Sequence, residues 1–141
     1  MVSVVLSART DAAVLAVIEQ WVGLLVEERF DDAMAMLVPS GTWTPDLLGT
    51  VIGNYGSVEP REGGRTFSVT APTAKTRGGS HFEVTWFERP VKNRLDYAPH
   101  LLGHARYDLP LDGEWSDVTA TFEILDLPEG AVLALDDVHV M

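Results

Sequence analysis

The amino-acid sequence predicts an α+β domain, with helices in its N-terminal half packed on a mostly antiparallel sheet formed by its C-terminal half. Three observations predict it. Apolar residues recur at three- and four-residue spacing up to about residue 52, the signature of amphipathic helices. From His81 onward they alternate with polar residues, as strands with one buried face require. The last alternating runs are joined by Asp112-Gly113 and by Pro128-Glu129-Gly130, short turn sequences of the kind that connect neighbouring antiparallel strands. Helices first and strands afterward is the order of a segregated α+β fold.

The first helix is expected from about Thr10 to Glu28. Val14, Ile18, Trp21, Val22 and Leu25 fall on one face, and Glu19, Glu27, Glu28 and Arg29 lie toward the other. Thr10 or Asp11 supplies the cap, since a short side-chain oxygen accepts an otherwise unpaired backbone N–H. A second, shorter helix follows, with Asp31 as its expected cap, Met34 and Leu37 facing inward and Pro39 ending it. Thr44-Pro45-Asp46 opens a third: a capping hydroxyl, proline in the first turn and an acid near the positive end of the helix dipole. Leu47, Leu48, Val51 and Ile52 form its apolar face, and Gly53, Asn54 and Gly56 end it beside Tyr55.

Phe67 and Val69 alternate as a short strand, after which residues 71–80 read as a basic connector. His81 to Phe87 place Phe82, Val84 and Trp86 opposite His81, Glu83 and Thr85; residues 88–99 then read as irregular. In the next strand Ala105, Tyr107 and Leu109 oppose His104, Arg106 and Asp108. In the one after, Val118, Ala120, Phe122 and Ile124 oppose Asp117, Thr119, Thr121 and Glu123. The final strand changes apolar register between Leu133/Leu135 and Val138/Val140. Because side chains alternate with period two, the change predicts a β-bulge at Asp136-Asp137.

A chain of 141 residues is long enough for one domain with a real core, and a single domain over 1–141 is expected. With no cysteine, disulfides, thiol nucleophiles and cysteine-ligated metal sites are excluded. The formal net charge of −11 opposes nucleic-acid binding, which depends on lysine and arginine. After Arg106 the sequence contains carboxylates and no lysine or arginine. No apolar run is long enough to cross a bilayer, and the opening VSVVL has no basic residues before it and is too short for a secretory h-region. A cytoplasmic location, without membrane or nucleic-acid partners, is therefore expected.

The stretch WVGLLVEERFDDAMAMLV, a long helix and an Ala-rich one divided by a short polar turn, is similar to the opening of the nuclear transport factor-like superfamily, which includes ketosteroid isomerases and polyketide cyclases. That resemblance implies a cystatin-like cone, in which helices pack on a curved sheet. The stretch YDLPLDGEWSDVTATFEI, followed by LDDVHVM, resembles an uncharacterised bacterial family of small stand-alone domains and implies no activity.

In an isomerase-like cone a buried carboxylate acts as base beside a tyrosine or acid donor that stabilises the developing oxyanion. Asp108, His104 and Tyr55 are the candidates, although alternation sets Tyr107 on the opposite face from Asp108 and His104. The plainer account of His104, Arg106 and Asp108 is a polar stripe with an Arg106–Asp108 ion pair. Asp137 and His139 share a strand face, yet two ligands are too few for a metal centre, and neither metal nor cofactor is expected. Trp43, Tyr55, Tyr107, Trp115, Asp117 and Glu123 are the candidates for ligand or partner binding. No P-loop, dinucleotide or nucleophile-elbow signature occurs.

The sequence thus favours a non-catalytic binding domain for a basic protein partner or a small hydrophobic ligand, with an immunity-like role as one form of it. The alternative is a small isomerase- or cyclase-like enzyme acting on a hydrophobic ligand. A homodimer through one sheet face is a further expectation.

Overall fold

The computed structural model describes residues 4–39, 41–60, 62–71, 81–91 and 100–140. The basic connector read at 71–80 lies outside these residues except for Ala71, as does the irregular segment at 92–99.

Three helices precede four strands: α1 (Asp11–Val26), α2 (Phe30–Ala35), α3 (Pro45–Gly53), β1 (Phe82–Val91), β2 (His100–Leu111), β3 (Glu114–Leu127) and β4 (Gly130–Val140). The strands form one open antiparallel sheet in the order β1-β2-β3-β4, a simple meander. The α+β class read from the sequence is correct.

Local chemistry sets the helix ends. The Thr10 hydroxyl accepts from the Ala13 N–H at 3.2 Å, and the Thr44 hydroxyl accepts from the Leu47 N–H at 3.1 Å with Pro45 following it. The expectation for α2 needs correction. Arg29 holds the cap position without a side-chain cap bond, and Asp31 lies inside the first turn. The helix starts two residues earlier than that cap implies, and the Phe30 ring packs over Gly49 of α3. A Cβ at Gly49 would stand 3.3 Å from that ring. Ala33, Met36 and Leu37 are buried, while Met34 is half-buried.

Val14, Ile18, Trp21, Val22 and Leu25 of α1 are all buried against the inner sheet face, where Ala105, Tyr107, Leu109, Val118, Ala120, Phe122, Ile124, Leu133, Leu135 and Val138 meet them. Trp21 and Phe122 pack edge to face with ring centroids 5.1 Å apart. Trp86, on the apolar face of β1, is half-buried, and its indole N–H donates to Asp11 at the start of α1 at 2.6 Å.

The sheet is longer and less regular than alternation alone suggests. β1 continues to Val91, which pairs with Leu101, so residues 88–91 belong to a strand that was read as irregular. The register shifts between Trp86 and Val91, and this break in alternation hid the continuation. The strand expected at Phe67–Val69 is reduced to one isolated bridge, Val69 with Leu111. Gly103 allows β1 and β2 to meet, because a Cβ there would collide with the Thr85 carbonyl oxygen.

Asp112 and Gly113 both have positive φ, 51° and 87°, as a tight hairpin turn of this type requires. The bulge in β4 is present: Thr121 pairs with Asp137 and Phe122 with Leu135, leaving Asp136 as the extra residue. The start of the free edge of β4 is covered by the N-terminal segment and by the segment after α2. Leu6 donates to the Ala131 carbonyl at 2.8 Å, Val5 bridges Val132, and Val38 donates to the Leu133 carbonyl at 2.9 Å. Among the described residues no helix is long and apolar enough to cross a membrane.

Candidate functional site

With α1 on the inner face, the outer face of the sheet collects the polar side chains of the alternating strands. Register places His81, Asp108, Thr119 and His139 in one row across the four strands. Glu83, Arg106, Thr121 and Asp137 form the next, and Thr85, His104, Glu123 and Ala134 a third. A groove of about 250 Å³ opens on this face, lined by Glu83, Thr85, His104, Arg106, Thr121 and Asp136.

At one end of the face lies a connected polar cluster. The half-buried Asp108 carboxylate accepts from the Thr119 hydroxyl at 2.7 Å through Oδ1, and its Oδ2 lies 3.0 Å from His81 Nδ1. Arg106 reaches Asp108 and Glu83, each at 3.4 Å. The His81 ring stacks on the Trp115 indole with centroids 4.2 Å apart and planes 12° from parallel. Thr119 is fully buried, although alternation set it on the outward face. It remains on that face but is enclosed beneath its neighbours, with Asp108 and His139 opposite it on the adjoining strands.

The bulge organises the other end. Asp136, the extra residue, accepts from the Thr121 hydroxyl at 3.3 Å through its carboxylate and from the Trp43 indole N–H at 3.1 Å through its backbone carbonyl. Burial first, and then the neighbouring Asp136 carboxylate, raise the Glu123 pKa above the usual carboxylate range; His104 acts in the opposite sense. His104 is exposed and meets Phe87 edge to face at 4.9 Å.

The remaining candidates are dispersed. Tyr55, at a positive φ of 58° just beyond α3, donates its hydroxyl to Asp117 at 2.5 Å and packs on Phe67. Tyr55 and Asp108 therefore have different partners and do not form a base–donor pair. Tyr107 lies in the core on the inner face, touching Trp115 edge to face at 5.8 Å. Desolvation, and secondarily the Glu19 charge on α1, push its pKa up to about 12. His139 Nδ1 lies 3.1 Å from Asp137, and among the described residues no group of three or more histidine or carboxylate side chains converges as metal ligands.

His81 is the residue that sequence reasoning left out of the site. Its partner stands 27 positions away, and only the cross-strand register between β1 and β2 joins them. The alternation of residues 81–87 against 104–109 carried that signal, because it placed His81 and Asp108 on the same outward face. Comparisons with protein-family models, with curated proteins and with solved structures give no match.

Proposed function

We propose that this protein is a non-catalytic binding domain that receives a basic protein partner on the outer face of its sheet, with neutralisation of that partner as its immunity-like form. The observation that carries this reading is the charge arrangement of that face. Glu83, Asp108, Glu123, Asp136 and Asp137 cluster across it, and Arg106 is held between Glu83 and Asp108. Such a surface raises the local concentration of a cationic partner and steers its approach. The helices, the meander and their order are compatible with the cone of nuclear transport factor-like proteins, which we take as the finer description of the fold. The acid-rich outer face favours a monomer, because a second copy would bring like charges together.

An isomerase-like reading has less support. Both Asp108 oxygens have protein partners, Tyr55 is committed to Asp117, and Trp21, Phe122 and Tyr107 fill the space beneath α1. A fluorescent peptide rich in arginine and lysine tests the binding reading. Its affinity is expected to fall steeply between roughly 0.05 and 0.5 M salt. An affinity indifferent to salt removes the electrostatic basis of the proposal.

A further inference from the structure

The two edges of the sheet differ. At the start of β4 the Val5–Val132 bridge and the bonds from Leu6 and Val38 take up the edge. β1 is the opposite edge of the four-stranded order, and among the described residues no segment pairs with its outer side. An uncovered edge offers a row of backbone donors and acceptors, which folded proteins normally blunt.

The hydrogen-bond phase of β1 identifies the open groups. The Asp108 N–H donates to the His81 carbonyl at 2.9 Å, and the register carries that pairing on to Glu83 with Arg106 and Thr85 with His104. In an antiparallel ladder the residues between such pairs turn their N–H and C=O the other way. The backbone groups of Val84 and Trp86 therefore point out of the sheet. Their side chains lie on the inner face, half-buried against the core. Glu83 and Thr85 alternate with them on the outer face, where both are exposed and both line the acidic groove. Beyond Trp86 the register shifts and Pro90 lacks a donor, so the far half of β1 is guarded in the usual way. The regular stretch from Glu83 to Trp86 has neither device.

We propose, resting on the binding reading above, that this edge takes up an extended segment of the basic partner as a fifth, antiparallel strand in which apolar and basic residues alternate. Antiparallel addition sets every second residue of the incoming segment directly beside Val84 and Trp86, where an apolar side chain completes their cover. The residues between them stand beside Glu83 and Thr85. A lysine or arginine there meets the Glu83 carboxylate, whose side chain is 60% exposed, at the near wall of the groove. Main-chain bonds supply the attachment, and the alternating side chains supply the selection. A second copy of this chain is the poorer occupant, because pairing β1 with β1 would join two chains of net charge −11.

The test uses the full chain and a blocked peptide of about seven alternating lysine and valine residues, an ordinary strand length, beside an isomer with the lysines grouped together. Two further peptides carry backbone N-methyl groups, one on its valines and one on its lysines. The alternating peptide is expected to bind roughly tenfold or more tightly than its isomer. It should slow hydrogen exchange at the Val84 and Trp86 amides and leave that of Thr85, already bonded to β2, unchanged. Methylating the valines should weaken binding roughly tenfold or more, because it removes the N–H groups that face β1, whereas methylating the lysines should not. In the protein, Val84→Pro removes an outward N–H without touching the β1–β2 ladder and should also weaken binding; the methylated peptides test the same point on the unaltered chain. Equal binding of the two isomers, or of the two methylated peptides, overturns strand addition, and if that binding still falls with salt the acidic face stands without it. Failure of every peptide to bind overturns both. Protection of the Val84 and Trp86 amides without peptide, rising with protein concentration, assigns the edge to a second copy and overturns the proposal.

Discussion

Thr119 and Asp108 stand opposite each other across β2 and β3, and the fully buried Thr119 hydroxyl donates to the Asp108 carboxylate at 2.7 Å. This bond fixes one carboxylate oxygen, while His81 approaches the other. Replacing Thr119 by valine keeps the shape and removes the donor. The expected loss is about 1–3 kcal/mol of folding stability, because a half-buried carboxylate loses a charge-assisted bond. Urea denaturation of Thr119→Val against the parent chain checks it.

Tyr107 gives the protein a pH dependence in the alkaline range. Its pKa is about 12 in the folded chain against an ordinary value of 10.0, so the native state holds the phenol proton more tightly than the unfolded state does. Its contribution to stability is complete below pH 10 and is lost as pH rises through about 12. Denaturation at a series of alkaline pH values should show this decline in the parent chain, and Tyr107→Phe should lack that component.

Glu123 behaves differently at neutral pH. Burial and Asp136 raise its folded pKa, so its ionisation in the native state opposes folding once the pH exceeds the usual carboxylate range. Glu123→Gln is expected to melt at a higher temperature than the parent at pH 7. The gain should disappear in acid, where the glutamate is protonated in both the folded and unfolded states. Calorimetric melting at the two pH values decides it.

The elements legible in the sequence are those specified by neighbouring residues. The Thr10 and Thr44 caps, the Asp112-Gly113 turn and the bulge at Asp136 each depend on short-range chemistry or on side-chain period, and each lies where the residues indicate. The start of α2 had no such local signal: Arg29 stands at its cap without a side-chain bond, and Phe30 packs over Gly49, 19 positions along the chain. For the same reason the Val5–Val132 bridge that covers β4 had no local signal. The site followed the same division. Alternation put Asp108, His104 and Glu123 on the outer face, but the stacking of His81 on Trp115 arises only when the β1–β2 pairing and the β2–β3 hairpin come together.

The most direct test of the binding face compares two variants with equal charge loss. One carries Glu123→Gln, Asp136→Asn and Asp137→Asn on the outer face; the other carries Glu27→Gln, Glu59→Gln and Glu129→Gln away from it. Affinity for an arginine- and lysine-rich peptide is measured for both at low salt. The account predicts that the outer-face variant loses roughly tenfold or more while the control stays near the parent value. Equal losses in the two variants would contradict it, because binding would then follow net charge and not this face.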